Sequence, residues 1–162
     1  MSLKKIGFTI GKFAPFHKGH AFLIETGLKE MDEFYVVVYD TPEFNIDIDT
    51  KIKWIIKKFP TVKILKAFNS PKQIGLDDKS VKIQMEYLKE IIKDINVGYF
   101  YSSEEYGKYV ASYLNIENRI VDKERVTFPI SGTLLRKDKG LQEKWIAKWN
   151  NWDEVKMFLK WD

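Results

Sequence analysis

The chain has no cysteine among its 162 residues. Disulfide bonds, thiolate metal sites and cysteine nucleophiles are therefore excluded. It also has no apolar run approaching about 18 residues, so no transmembrane helix is expected. The N-terminal residues lead into a strand pattern and not into the apolar core of a signal peptide, which predicts a cytoplasmic protein.

Arginine is scarce. Of 27 lysine and arginine residues only Arg119, Arg125 and Arg136 are arginine. We expect such rare guanidinium groups where bidentate phosphate geometry is useful, although three chance surface positions would give the same count. The net charge of +4 suits anionic substrates. No basic face with interleaved stacking aromatics is evident, so neither a nucleic acid nor a membrane is an expected partner.

Short apolar runs alternate with helical patterns along the chain. Strands are predicted at 6–10, 34–39, 62–67, 97–101 and 119–121, and helices at 18–31, 49–59, 77–92, 105–114, 141–149 and 152–159. Asp49 and Thr50 are the expected cap of the second helix. The alternation predicts an α/β fold: a Rossmann-like open parallel five-stranded sheet with helices on both faces and a short helical C-terminal segment. We expect one domain over 1–162, with its α/β core at 1–130.

The segment Gly11-Lys12-Phe13-Ala14-Pro15-Phe16-His17-Lys18-Gly19-His20 follows the first predicted strand and holds both histidines of the protein. Its glycines and proline predict a tight turn that opens a helix. Backbone N–H groups and the positive end of a helix favour anions there, and lysine and imidazole add further donors. The pattern favours a polyphosphate site; a glycine-rich turn with two exposed histidines is the alternative.

A second segment, Pro129-Ile130-Ser131-Gly132-Thr133-Leu134-Leu135-Arg136, has the composition of another phosphate-binding helix start. Ser131 and Thr133 suit an N-cap or first turn, and Arg136 would lie about one turn further along. Hydroxyl groups, N–H groups and a guanidinium would then converge on one anion. An ordinary capped helix with a surface arginine is the alternative.

Together the two segments resemble the signatures of the nucleotidylyltransferase superfamily, Gly-x-Phe-x-Pro-x-His-x-Gly-His and Ile-Ser-Ser/Gly-Thr-x-x-Arg. The resemblance implies a catalytic group of His17, His20, Lys12 and Arg136. We assign nucleotide contacts to a larger set: Gly11, Phe13, Pro15, Gly19, Ser103, Glu104, Arg125, Ser131, Gly132 and Thr133. Gly11 would let the nucleotide approach the backbone.

Three further segments resemble one branch, the nicotinamide-nucleotide adenylyltransferase domain of the NadR type. They are 51–59, 101–107 and 121–125, the last of which precedes the second signature at the spacing of that branch. The two arginines of the branch's middle helix are Lys51 and Lys53 here, which keep the charge and lose the planar fork. The loop at 69–78 also lacks the tryptophans that the branch often carries. A stacking face for a pyridine ring would then come from Trp54, Trp145, Trp149 or Phe44.

The resemblance implies transfer of AMP from ATP to a phosphorylated acceptor, nicotinamide or nicotinate mononucleotide, with release of pyrophosphate. Asp40, Lys51 and Trp54 are the predicted acceptor-binding residues. Mg²⁺ would be carried by ATP, because the motifs offer no carboxylate cage. A cytidylyltransferase, a pantetheine-phosphate-type adenylyltransferase and a non-catalytic nucleotide sensor stay open, as does a homo-oligomer.

Overall fold

A computed structural model of the protein describes residues 3–44, 46–72, 77–103 and 106–121. The predicted helices at 141–149 and 152–159 lie outside this part of the chain, as does the whole segment 131–162. In the residues that are described, no helix is both long and apolar enough to cross a membrane.

Five parallel strands form one sheet in the order β3-β2-β1-β4-β5. The strands are β1 (Ile6–Gly11), β2 (Glu33–Tyr39), β3 (Lys63–Ala67), β4 (Tyr99–Ser102) and β5 (Glu117–Ile120). Every strand is joined to the next along the chain through a helix, because parallel neighbours need a crossover connection. The predicted α/β fold with a five-stranded parallel sheet is confirmed.

The four described helices divide between the two faces of the sheet. They are α1 (Lys18–Glu30), α2 (Ile48–Lys58), α3 (Asp78–Ile91) and α4 (Tyr106–Leu114), and one 3₁₀ turn lies at Pro42–Phe44. Val36 and Val38 of β2 pack in one cluster with α1 and α2, whereas Val37 packs in another with α3 and α4. The continuous apolar run of β2 is thus explained by burial on both faces.

Helix α1 approaches the sheet closely at Gly27. A Cβ at this position would lie 2.3 Å from Cε1 of Phe34 on β2, so any side chain would push the helix away. The glycine therefore sets the distance between α1 and the sheet.

The prediction that Asp49 or Thr50 caps α2 is wrong, because the cap is Asp47. Asp47 has an extended backbone, and its carboxylate accepts a hydrogen bond from the Asp49 N–H at 3.1 Å. Three good capping residues stand within four positions here, so the local pattern alone does not separate them. Strands β4 and β5 also begin two residues away from their predicted starts, at Tyr99 and Glu117.

The sheet opens between β1 and β4 toward their carboxyl ends. Strand β1 stays paired with β2 as far as Gly11, but its pairing with β4 ends at Phe8 and Phe100. Just beyond, the hydroxyl of Thr9 donates to the Tyr101 carbonyl at 2.8 Å. The strand order reverses at this point, which is where open α/β sheets bind their ligands.

Candidate active site

The turn that joins β1 to α1 is buried and tightly constrained. Phe13 has a φ of 49°, in the left-handed region that few residues other than glycine adopt, and the Ala14–Pro15 peptide bond is cis. The Phe13 ring lies against Gly11, where a Cβ would come within 2.8 Å of the ring Cζ. Packing within the turn is thus sufficient reason for glycine at position 11, beside the nucleotide approach that the sequence suggested.

His17 and His20 cap the start of α1 reciprocally. Nδ1 of His17 accepts the N–H groups of Gly19 at 3.0 Å and His20 at 3.3 Å. Nδ1 of His20 accepts the N–H group of His17 at 3.2 Å. This is the geometry of a capping box, with imidazoles in place of the usual hydroxyl and carboxylate groups.

These hydrogen bonds assign the tautomer of both rings. A nitrogen that accepts a backbone N–H carries no proton, so in the neutral imidazole the proton lies on Nε2. The two rings stack at 3.6 Å between centroids, and His17 is only 3% exposed. The Phe13 ring meets His20 edge-on at 4.7 Å, and Phe16 lies parallel to it at 6.0 Å. The motif therefore holds two neighbouring Nε2–H donors in defined orientations at the carboxyl end of β1.

The structure changes how the N-terminus of α1 can meet an anion. The sequence suggested that its backbone N–H groups bind phosphate directly. Two of them, from Gly19 and His20, are instead donated to the His17 ring. Each ring carries its proton on Nε2, so the motif adds two imidazole N–H donors to this helix start.

Lys12 is exposed at the start of the turn, and its Nζ lies 5.6 Å from the centroid of the Phe44 ring. Phe44 ends the 3₁₀ turn that follows β2. Lys12 thus joins the turn after β1 to the segment after β2.

Lys51 is fully buried on the first turns of α2. Its ammonium donates to the Tyr39 carbonyl at 2.8 Å and to the Thr41 hydroxyl. Burial lowers the pKa of Lys51 to about 8, and the carboxylates of Asp40, Glu43 and Asp47 oppose this shift while Lys12 adds to it. The ammonium therefore ties α2 to the end of β2, with three acidic side chains around it.

The other two predicted acceptor residues lie on the same side of the sheet. Asp40 follows β2 directly, is partly exposed, and donates its backbone N–H to the Ala67 carbonyl at 2.9 Å. Trp54 packs in the core cluster with 3% exposure, and its Nε1 has no hydrogen-bond partner in the described part of the chain. Its ring faces are thus occupied by packing, which disfavours Trp54 as a stacking platform.

Of the predicted nucleotide-binding residues that lie beyond residues 11–20, the structure describes only Ser103. It follows β4 directly at the carboxyl edge of the sheet and is partly exposed. The others lie outside the described residues: Glu104, Arg125, Ser131, Gly132, Thr133 and Arg136, together with Trp145 and Trp149.

Arg119 does not serve the role that arginine scarcity suggested. Its guanidinium pairs with the Glu30 carboxylate through Nε and one terminal nitrogen, both at 3.0 Å. Tyr101 donates its hydroxyl to the same carboxylate at 2.7 Å, and both partners hold the pKa of Glu30 below its usual value. The bidentate geometry is used for a protein carboxylate at the end of α1.

Two residues of this edge were not expected from the sequence. Thr9 was hidden within a strand pattern, although a hydroxyl in an otherwise apolar strand is a signal for a buried hydrogen bond. Phe68, which follows β3 and lies just beyond the strand predicted at 62–67, is 48% exposed. An aromatic residue directly after a buried strand was the available signal for it.

Among residues 3–44, 46–72, 77–103 and 106–121, no group of three or more histidine or acidic side chains could hold a metal ion. The described side chains therefore offer donors for phosphate oxygens and no metal cage of their own.

An α/β sheet that opens at its switch point, with paired imidazoles at the carboxyl end of the first strand, defines a nucleotide-binding class of protein. The chain belongs to the cytidylyltransferase-like family, whose model matches residues 8–138. The predicted nucleotidylyltransferase superfamily is confirmed.

One curated relative is the trifunctional NAD biosynthesis/regulator protein NadR of Salmonella typhimurium. The two chains are 30% identical over an alignment of 154 positions, which covers 83% of this chain and 37% of the relative. The chain thus spans little more than a third of the length of this relative. The likeness to the NadR type that the sequence indicated is confirmed at this level.

Solved structures agree with the fold. NadR in complex with NAD and AMP-PNP aligns with a TM-score of 0.63 at 20% identity, covering 92% of this chain and 46% of that one. A bifunctional NMN adenylyltransferase/ADP ribose pyrophosphatase from Francisella tularensis, complexed with AMP and a manganese ion, aligns with a TM-score of 0.62 at 18% identity. It covers 97% of this chain and 49% of that one. At these identities the likeness establishes the fold.

Proposed function

We propose that the protein transfers AMP from ATP to the phosphate of a pyridine mononucleotide, nicotinamide mononucleotide first, giving a dinucleotide and pyrophosphate. The observation that carries the proposal is the pair of imidazoles of His17 and His20, whose Nδ1 atoms are held by backbone N–H groups in the turn that follows β1. The family match and the NadR relative support the choice of reaction and of acceptor.

In the proposed reaction an oxygen of the acceptor's phosphate attacks the α-phosphorus of ATP. A new P–O bond forms between the α-phosphorus and the acceptor's phosphate oxygen. The bond between the α-phosphorus and the oxygen that bridges to the β-phosphorus breaks, and pyrophosphate leaves with the electron pair. No covalent enzyme intermediate is required. The protein's contribution is alignment of the two substrates and stabilisation of negative charge on the phosphate oxygens.

The neutral imidazoles suit this task. With Nδ1 held by the backbone, each of His17 and His20 carries its proton on Nε2, which is the proposed donor to a phosphate oxygen. Such preorganised donors stabilise charge more than donors that must first turn into place. Lys12 and Arg136 remain the proposed partners of the β- and γ-phosphates, together with Ser131, Gly132 and Thr133.

The remaining assignments belong to the same proposal. Ser103, Glu104 and Arg125 would border the nucleotide, and Asp40, Lys51 and Trp54 would form the acceptor side. Because Lys51 and Trp54 are buried, we place them beneath the acceptor pocket, where they support its wall. Mg²⁺ would enter with ATP as part of the substrate; the Francisella structure with manganese and AMP is consistent with a divalent ion. A cytoplasmic location is also part of the proposal.

The test is pyrophosphate release with ATP and Mg²⁺ against nicotinamide mononucleotide, with nicotinate mononucleotide in parallel. CTP in place of ATP, and phosphopantetheine as acceptor, test the two other transferase activities. Turnover with a pyridine mononucleotide that is lost in His20→Ala supports the proposal. ATP binding with no pyrophosphate release from any acceptor would identify a nucleotide sensor and contradict it.

A further inference from the structure

Thr9 places a hydroxyl in a strand that otherwise consists of apolar residues and glycine. The residue is 4% exposed, and its hydroxyl donates to the main-chain carbonyl of Tyr101 on β4 at 2.8 Å. Buried hydroxyls normally have a hydrogen-bond partner, but this partner lies on the neighbouring strand, 92 residues away along the chain. The hydrogen bond therefore joins β1 to β4 through a side chain.

This hydrogen bond lies where the backbone pairing of the two strands stops. The β1–β4 ladder ends with the pair Phe8 and Phe100, so the next pair in this register would be Thr9 and Tyr101. A continuing parallel ladder would bond the Tyr101 carbonyl to a backbone N–H of β1. The Thr9 hydroxyl takes that place. Because a side chain reaches beyond its own backbone, it can hold two strands that have begun to separate.

Both partners of the hydrogen bond are held by other contacts. Strand β1 remains paired with β2 as far as Gly11, two residues beyond Thr9. On β4, the Tyr101 hydroxyl donates to the Glu30 carboxylate of α1 at 2.7 Å, and the Tyr101 ring meets Phe34 edge-on at 5.2 Å. Two anchored strands thus face each other across the gap, and the Thr9 hydroxyl bridges them.

The two segments assigned to the nucleotide continue from this bridge. Gly11 leads into the segment that holds His17 and His20, and Ser103 follows β4 directly. Gly11 and Ser103 each lie two residues after a partner of the hydrogen bond, which is about 7 Å along an extended chain. A change in the separation of the strands at Thr9 would therefore be passed on to both segments.

We propose that Thr9 is a positioning residue, whose hydroxyl sets the separation of β1 and β4 and thereby the alignment of ATP between the two segments. This inference rests on the nucleotide site of the proposed function and extends it to a residue outside both sequence signatures. Reaction rates depend steeply on alignment, and a displacement of about 1 Å can cost about a hundredfold in rate. Thr9 itself touches no substrate and acts through the two strands.

The experiment removes the hydroxyl and keeps the shape of the side chain. Thr9→Val puts a methyl group in place of the hydroxyl, and valine is as well suited to a strand as threonine. Thr9→Ser keeps the hydroxyl and is the rescue variant. The matched control is Thr26→Val, because the Thr26 hydroxyl donates to the Phe22 carbonyl within α1, also at 2.8 Å. Calorimetric binding of ATP, steady-state pyrophosphate release with nicotinamide mononucleotide, and denaturant unfolding are measured for each protein and for the wild type.

We expect Thr9→Val to raise the Kd for ATP about three- to tenfold and to lower kcat about tenfold. The KM for nicotinamide mononucleotide should stay unchanged, because Asp40 and Lys51 lie beyond β2, on the other side of β1. Thr9→Ser should stay within about twofold of the wild type, because serine offers the same O–H donor. Thr26→Val should lose stability with all kinetic and binding constants unchanged, which is the result that a merely structural hydroxyl would give at position 9.

The outcomes separate this inference from the proposed function. Wild-type turnover with an unchanged Kd and kcat in Thr9→Val, or with the same changes in Thr9→Ser or Thr26→Val, would overturn the positioning role and leave the function standing. Weaker ATP binding in Thr9→Val that Thr9→Ser restores, with no turnover by the wild type, would overturn the function and keep the bridge as part of a nucleotide site. A wild type that binds no ATP would overturn both. If Thr9→Val does not fold, Thr9→Ala is compared with Thr9→Ser in its place.

Discussion

The nucleotide side and the acceptor side of the candidate site are held in different ways. At residues 11–20 the contacts are local: each imidazole bonds backbone within three residues, and the Phe13 ring covers Gly11. At the end of β2 the contacts join distant parts of the chain, through the Lys51 ammonium and the Ala67 carbonyl. Local contacts are specified by a short motif, whereas distant contacts depend on the whole fold. A motif therefore predicts the first kind of site more completely than the second.

The largest effect is expected on the nucleotide side, from His20→Ala. Loss of one well-aimed donor should lower kcat about a hundredfold or more, because such donors contribute about 2.7–4 kcal/mol to the transition state. The variant also removes the acceptor of the His17 N–H, so the free energy of unfolding should fall by about 1 kcal/mol while the protein stays folded. Kinetics and denaturant unfolding measure the two effects.

The matched control is Asp77→Ala, which removes the N-cap of α3, whose carboxylate accepts the Ser80 N–H at 3.0 Å. It should lose similar stability at unchanged kcat. A near-normal rate for His20→Ala would contradict the role of that ring.

Gly11→Ala tests whether packing within the turn sets the geometry. The new Cβ would meet the Phe13 ring at 2.8 Å, and the shift should lower kcat about ten- to a hundredfold. Adding Phe13→Leu should recover part of the rate by freeing space. Gly98→Ala, where a Cβ meets nothing within 4 Å, should leave kcat unchanged. Equal rates in the single and double variants would show that the contact is not the cause.

Lys51→Met tests the acceptor side, because it removes the bonds to Tyr39 and Thr41 and keeps an unbranched apolar stem. We expect the KM for the acceptor to rise about tenfold, with the KM for ATP little changed, since two buried charge-assisted hydrogen bonds are lost on that side only. Lys53→Met, at an exposed position on the same helix, is the control. Equal rises in both KM values would show that the two sides are not held independently.

The same variant gives a pH signature. The folded-state pKa of Lys51 is about 8, below the 10.5 of an exposed lysine. Between these values the unfolded chain keeps a proton that the folded chain has lost, so the stability of the wild type should rise with pH relative to Lys51→Met. The slope is at most about 1.4 kcal/mol per pH unit. Chemical unfolding at pH 7, 8, 9 and 10 measures it, and parallel curves for the two proteins would contradict the buried ammonium.

The smallest effect is expected from Arg119→Ala, because Arg119 belongs neither to the nucleotide side nor to the acceptor side of the site. Its ion pair with Glu30 joins side chains that are 45% and 38% exposed, so its loss should cost about 0.2–1 kcal/mol of stability and less at high salt. The kcat and both KM values should stay at wild-type levels. A large rise in the KM for ATP would instead place this arginine on the nucleotide.

The sequence predicts the fold well because each element carries a local signal. The apolar run of β2 and the helical spacing within α1 and α3 are sufficient to predict the order and type of these elements. In the part of the chain that the structure describes, the errors in the predicted elements lie at caps and strand ends. In the site, His-x-x-His has the spacing of a capping box, so the sequence pattern could have predicted the reciprocal hydrogen bonds of the two histidines.

The acceptor side was harder to predict from the sequence for a physical reason. Helix α2 carries four lysines, Lys51, Lys53, Lys57 and Lys58, and only the rotation of the helix decides which one is buried. That rotation is set by the packing of Ile48, Trp54 and Ile55 in the core, which depends on the whole fold. The partner of Arg119 is likewise 89 residues away, so no local rule could have indicated it.

Helix α1 has a mechanical consequence for catalysis. Its N-terminus is capped by the two imidazoles, its last residue Glu30 binds Tyr101 and Arg119, and Gly27 brings its last turn close to Phe34. The helix is therefore a rod about 20 Å long whose C-terminal end is held to β4 and β5, with little freedom to slide along the sheet. For the proposed reaction this helix then gives the two imidazoles a fixed distance from the end of the sheet.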